Sequence, residues 1–220
     1  MWCVNDKNFI REFTNLAINI KHLYIADGHH RIGAMQHIKK INPLIERFMI
    51  AAFPSNECKI YDYNRVIKDL NGLSKDQFIK NLSNDFKVLK VDNAYKPLTK
   101  YEFGMYHDNQ WYILEFINSL TSNNFIDALD INILNQFCLT KMLNIKDVNN
   151  DERIRFIAGC HGLSALKKKV DENTDSVAFS IFPSKITDVI RVADNNLTMP
   201  PKSTWFDPKP LDGLVVYEFN

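Results

Sequence analysis

Apolar residues at Phe9, Phe13, Leu16, Ala17 and Ile20 recur at helical spacing, and Asp6 stands where a cap belongs, which predicts a helix from Phe9 to Ile20. Leu23 to Ala26 is a short apolar run, read as a strand that ends at Asp27-Gly28. Helical periodicity resumes at Ile32, Met35, Ile38 and Ile41, and Pro43 stops it. Arg47 to Phe53 reads as a buried strand, Pro54-Ser55-Asn56 as a turn, and Cys58 to Tyr63 as a further strand. Ser74 caps a predicted helix to Asn84 with Phe78, Ile79 and Leu82 on its apolar face. Phe86 to Val91, Tyr101 to Tyr106 and Trp111 to Phe116 are aromatic or β-branched strands, the last two joined as a hairpin through His107 to Gln110. Asp130 caps a helix carrying Leu134, Phe137, Cys138 and Met142. After it come a strand (Ile154 to Ala158), a helix (Gly162 to Val170), a strand (Val177 to Phe182) and a helix (Ser184 to Asn195) with Ile186, Val189, Ile190 and Ala193 inward. A Pro-rich loop and a last strand from Gly213 to Phe219 close the chain. The alternation predicts an α+β class in one domain over residues 1–220, with a weak internal boundary near 92–100.

Charge changes the picture in one respect. Lys and Arg total 27 against 26 Asp and Glu, a net charge of +1. Nucleic-acid binders usually carry a clear basic excess, so this argues against such a partner. Lys outnumbers Arg 20 to 7, a codon-bias signature, so the Lys167 to Lys169 run carries no functional weight. No apolar run approaches the roughly 18 residues of a membrane span. The first residues show no signal pattern, and Cys3, Cys58, Cys138 and Cys160 form no CxxC pair. The expectation is a cytoplasmic protein with reduced thiols and no membrane partner.

The chemistry concentrates in Asp27-Gly28-His29-His30-Arg31, where a strand ends, a glycine turns the chain and a helix begins. A helix start offers free N–H groups and a positive dipole end. Gly28 permits close backbone approach, and Arg31 grips phosphate oxygens in a bidentate way with His29 and His30 as further donors. Asp27 is placed to hold Mg²⁺ or orient a hydroxyl. The plain alternative is a capped, solvated helix start. Gly28 and Gly33 mimic a Walker A loop, but Ala34-Met35 stand where Lys-Ser/Thr is required, so a P-loop is rejected. Lys202, Ser203 and Thr204, on a Pro-stiffened loop, form a second candidate set for phosphates, with a packed loop held by Trp205 and Phe206 as the alternative. They are expected to lie beside the helix start at Gly28. Asn64-Arg65 reads as following a strand, which would place a second Arg near the ligand, with a surface or ion-pairing residue as the alternative.

DGHHR after a strand resembles the phosphate-binding signature of the ParB/sulfiredoxin-like superfamily, and its two-histidine form is similar to that of the ADP-dependent free-serine kinase. Sulfiredoxin carries a catalytic Cys where His29 stands, which puts its repair chemistry out of reach. YDYNRVIKDLNGLSKDQF, ALDINIL, RIRFIAGCHGL and MPPKSTWFDPKPLDGL look like successive signatures of the domain of unknown function 1015 family, placed in that superfamily. The resemblance implies a mixed sheet with flanking helices and nucleotide binding (ATP or ADP, with Mg²⁺) at Gly28, His29, His30 and Arg31, to which the residues' own chemistry adds Lys202, Ser203 and Thr204. It also implies phosphoryl transfer to a small hydroxylated molecule such as free serine, for which Asp27, read above as a metal ligand, and His30 are the expected catalytic groups. The alternatives are a ParB-like binding module without turnover, or an inactive remnant. Family members are about twice this length, and 26 residues precede Asp27 here. The expectation is therefore the C-terminal half of a member, incomplete at its N-terminus. Its partner would be a separate N-terminal half or a second copy, and it would show apolar surface or an unpaired edge near Leu23 to Ala26. Glu12 and Asp6 alone among acidic residues precede the motif, and neither is assigned the role of base.

Overall fold

The structure, a computed structural model, describes residues 2–120, 124–173, 176–211 and 213–218. It resolves into two compact units, Met1–Pro54 with Pro210–Asn220, and Ser55–Lys209. The 92–100 stretch lies inside the second unit. No helix among the described residues is long and apolar enough to cross a membrane.

The first unit holds helices α1 (Lys7–Ala17) and α2 (His29–Ile41). Asp6 caps α1 as its sequence position predicts, its carboxylate accepting from the Phe9 N–H at 2.7 Å. Two expected strands are absent. Leu23 to Ala26 and Arg47 to Phe53 have no regular structure, and Leu23, Phe48 and Ile50 are exposed. An apolar run becomes a strand only where a neighbour supplies ladder partners, and none of the described residues does so here. The apolar surface expected at Leu23 to Ala26 is present, with Leu23 63% exposed.

In the second unit β1 (Lys59–Tyr61) and β2 (Tyr63–Ile67) precede α3 (Lys75–Leu82), where Ser74 and Gln77 form a reciprocal capping box. Then come β3 (Phe86–Val91), β4 (Glu102–His107) and β5 (Gln110–Phe116). The β4–β5 hairpin turns through Asp108 and Asn109, both at positive φ, as a two-residue turn of matching twist demands. α4 (Asp130–Leu134) runs on into a wider π-helical stretch through Asn135–Thr140. β6 (Ile154–Ala158), α5 (Gly162–Asp171), β7 (Val177–Ile181), α6 (Ile186–Asp194) and β8 (Trp205–Asp207) complete the unit. The expected strand from Gly213 does not form over 213–218, and Phe219 lies outside the described residues. The strand of this region is β8, which pairs antiparallel with β1. On α6 the buried residues are Val189 and Val192, while Ala193 is exposed.

The α+β class holds, but the sheet is not mixed. Six strands run in the order β3-β5-β4-β7-β2-β6, and each neighbouring pair is antiparallel. β6, α5 and β7 form a β-α-β unit whose two strands point the same way. β2 lies between them, antiparallel to both, so no parallel ladder forms. One face of the sheet, with Phe103, Met105, Leu114 and Phe179, packs on α3 and α4 through Phe78, Leu82, Ile133 and Leu134. The other, with Val66, Tyr106 and Ala178, packs on Leu166 and Val170 of α5.

Asp130 is the first residue of α4, not its cap, and its carboxylate accepts from the Tyr101 N–H. Burial pushes its pKa up from 3.8 to about 6. Between those values the folded state binds more protons than the unfolded, so this group's contribution to stability falls as pH rises through the window. Asp130→Asn keeps an acceptor for Tyr101 and removes the titration. Relative to wild type the variant is expected to gain stability between about pH 4 and pH 7, by on the order of 2 kcal/mol. Urea unfolding at a series of pH values checks this, and parallel curves would refute it.

Candidate functional site

α2 begins at His29 directly after Gly28, which sits at φ 82° and ψ 26°. That left-handed conformation costs a glycine nothing. As N-cap, Gly28 brings no side chain to the first turn, so the N–H groups of His29 and His30, which have no acceptor within the helix, are not capped by it. Arg31 folds back over the turn. A Cβ on Gly28 would meet its guanidinium at 3.0 to 3.4 Å, and its Nη2 lies 3.6 Å from the Asp27 carboxylate. His29 and His30 are exposed, as are Asp27 and Arg31. The five residues are therefore gathered on one exposed helix start, and what precedes it is irregular chain instead of the expected strand end.

Asp27 supplies a single carboxylate, and among the described residues no three His, Cys, Asp or Glu side chains gather in a metal-binding cluster. Mg²⁺ is commonly held by one or two carboxylates together with phosphate oxygens and water. Asp27 fits that ion only alongside a bound polyphosphate.

Lys202, Ser203 and Thr204 belong to the second unit, and the helix start at Gly28 to the first. The loop carrying them is built from below by Arg65. That residue is in the middle of β2, not after a strand, and it is fully buried without a carboxylate partner among the described residues. Its Nη1 donates to the Tyr63 carbonyl, and its Nη2 to the carbonyls of Lys202 at 3.0 Å and Pro201 at 3.5 Å. Its guanidinium carbon lies 4.5 Å from the centre of the Phe156 ring, on the opposing position of β6. Burial pulls its pKa down to about 9, so it stays charged at neutral pH. Lys202 is held at φ 52°, its ammonium 5.7 Å from the centre of the Tyr63 ring. Ser203 is buried and Lys202 exposed.

Sequence reasoning singled out Arg65 but expected it after a strand and favoured a surface or ion-pairing role, where the structure buries it within β2; Asp62 it missed. Asp62 is buried in the chain between β1 and β2, against Gly159, with Lys96 Nζ 3.2 Å from its Oδ1. The signal for Arg65 was its place two residues after Tyr63 with Val66 and Ile67 following, a charged residue inside an apolar strand. Asp62 gave none, since Lys96 and Gly159 are distant in sequence.

A family model described as "Protein of unknown function (DUF1015)" matches residues 1–132. The blocks RIRFIAGCHGL and MPPKSTWFDPKPLDGL lie beyond the matched span. A comparison with curated proteins finds no match. Among solved structures, a free serine kinase variant in complex with ADP is 16% identical with a TM-score of 0.46, over 83% of this chain and 66% of its own. A conserved hypothetical protein from Pyrococcus furiosus is 15% identical with a TM-score of 0.43, over 83% of this chain and 68% of its own. C-terminally truncated SbnI from Staphylococcus aureus is 10% identical with a TM-score of 0.49, over 93% and 77%. Likeness at this level does not fix chemistry.

Proposed function

From the premise that the chain belongs to the DUF1015 family, we propose that it binds the phosphates of ATP or ADP at Asp27 to Arg31 and transfers a phosphoryl group to a small hydroxylated molecule such as free serine. The observation that carries the reading is the uncapped start of α2, with a left-handed glycine, two exposed imidazoles and a guanidinium folded over the turn. The first-turn N–H groups and Arg31 hold phosphate oxygens, and the dipole end adds to the attraction. Asp27 would hold Mg²⁺, which would supply charge neutralisation for those phosphates. His30 accepts the proton of the acceptor hydroxyl. No side chain among the described residues fixes its ring, so the bound ligand orients it. Lys202, Ser203 and Thr204 form a further set of donors for anionic oxygens.

Arg31→Ala is expected to weaken ADP binding at least tenfold in the presence of Mg²⁺, measured by calorimetric titration. A bidentate charge-assisted contact is worth more than 1.4 kcal/mol at such a site. Equal affinities would remove the site from α2. The transfer itself is tested by incubating the protein with ADP or ATP, Mg²⁺ and free serine and assaying for phosphoserine.

A further inference from the structure

A guanidinium buried without a counter-ion is costly unless other contacts repay it. Arg65 is 0% exposed, and three carbonyls and one aromatic ring surround it. They leave two deficits. The charge is not neutralised, and Nε is buried with no hydrogen-bond partner. Above it, Ser203 is 7% exposed, yet neither its N–H nor its hydroxyl meets an acceptor among the described residues. Lys202 adds a second positive charge, and it borders a cleft of about 470 Å³ walled by Tyr63 and Phe156. Of the two acids in the same cleft, Asp151 is taken up by Arg153 at 2.7 Å and Glu152 is exposed to solvent, with Arg155 on the same wall. Unpaired donors and uncompensated positive charge on one turn call for an anion.

We propose that the Pro201–Thr204 turn is a binding site for a phosphoryl group, and that Arg65 is its positioning residue. Arg65 does not touch the ligand. By drawing the Pro201 and Lys202 carbonyls inward it holds Lys202 at its left-handed φ. Carbonyls turned toward the guanidinium leave the N–H groups of Lys202 and Ser203 on the opposite side of their planar peptides, free to meet phosphate oxygens. Its buried charge adds to the attraction, undiminished by solvent. This deepens the reading above and rests on it only in taking a phosphoryl group as the ligand.

Pyrophosphate is the probe, titrated calorimetrically into the full chain. Lys202→Ala and Arg65→Met are each expected to bind it at least tenfold more weakly than wild type, and Arg65→Lys to recover part of the loss. Arg65→Met that unfolds cooperatively but binds with wild-type affinity would overturn the positioning role, and wild-type affinity in Lys202→Ala would overturn the site. Should Arg65→Met not fold, the Arg65 Nε–H resonance of the wild type decides. It is expected to shift as pyrophosphate saturates, and an unmoved resonance overturns the proposal. Arg31→Ala separates the two readings. Pyrophosphate binding lost in Arg65→Met but kept in Arg31→Ala sustains the turn against the α2 site, and the reverse pattern sinks the turn and sustains α2.

Discussion

Gly104→Ala is expected to destabilise the protein by about 3 kcal/mol or more. Gly104 is in β4 opposite Ser180 of β7, on the face that α5 covers. A methyl group there would overlap the Ser180 hydroxyl and the Tyr95 carbonyl oxygen, and those two atoms are hydrogen-bonded to each other at 2.8 Å. The hydroxyl is on a short side chain and the carbonyl is backbone, so neither moves without breaking that bond or displacing the Tyr95 segment. The segment is tethered on its far side, where the Tyr95 hydroxyl donates to Glu102 at 2.6 Å. Gly104→Ala with Ser180→Gly is expected to regain only part of the loss, because the Tyr95 carbonyl still obstructs. Denaturant unfolding of the two variants measures this, and a single variant within 1 kcal/mol of wild type would be incompatible with the packing described.

Lys96→Met carries the second large effect. The Asp62 side chain is 1% exposed and its Oδ1 is 3.2 Å from Lys96 Nζ, the one cation within ion-pair distance among the described residues. Although in ion-pair range, that oxygen receives no properly aligned hydrogen bond. That oxygen is therefore held by the charge of Lys96 alone. Removing one member of a buried pair typically costs 3 to 5 kcal/mol, since the other charge stays behind. Lys96 is itself 48% exposed, so water replaces it in part and the loss should fall near the low end, about 3 kcal/mol. Adding Asp62→Asn to Lys96→Met should restore much of it, because the residual charge is gone. A double-mutant cycle by urea unfolding reads the coupling, and strict additivity would show that the pair does not interact.

These two sites also mark where the chain's pattern was readable and where it was not. Local devices were legible: Asp6 over α1, Ser74 with Gln77 over α3, and the Asp108-Asn109 turn each act within four residues of their partners. The order of the sheet was not, because β2 reaches its place between β6 and β7 only through contacts about 90 to 120 residues apart. Leu23 to Ala26 and Arg47 to Phe53 show the opposite failure. Their composition suits a strand, but composition supplies no partner. Of the candidate site, the motif at Asp27 to Arg31 was visible as adjacent residues. The support beneath Lys202 was not, since Arg65 is 137 residues away and reaches it through a backbone carbonyl.

The register Lys59 to Asp207 has a kinetic meaning. β1 and β8 close a loop of about 150 residues with three paired positions, whereas the β4–β5 hairpin closes over two residues. Chain entropy lost on closure grows with the logarithm of loop length, so the hairpin forms early at small expense. The β1–β8 clasp forms once the intervening sheet has already drawn its ends together. The same clasp, short and at the point where the chain enters and leaves the second unit, is where that unit opens first. Exchange of the Ile60 and Phe206 amides with solvent then reports local fraying and not global unfolding.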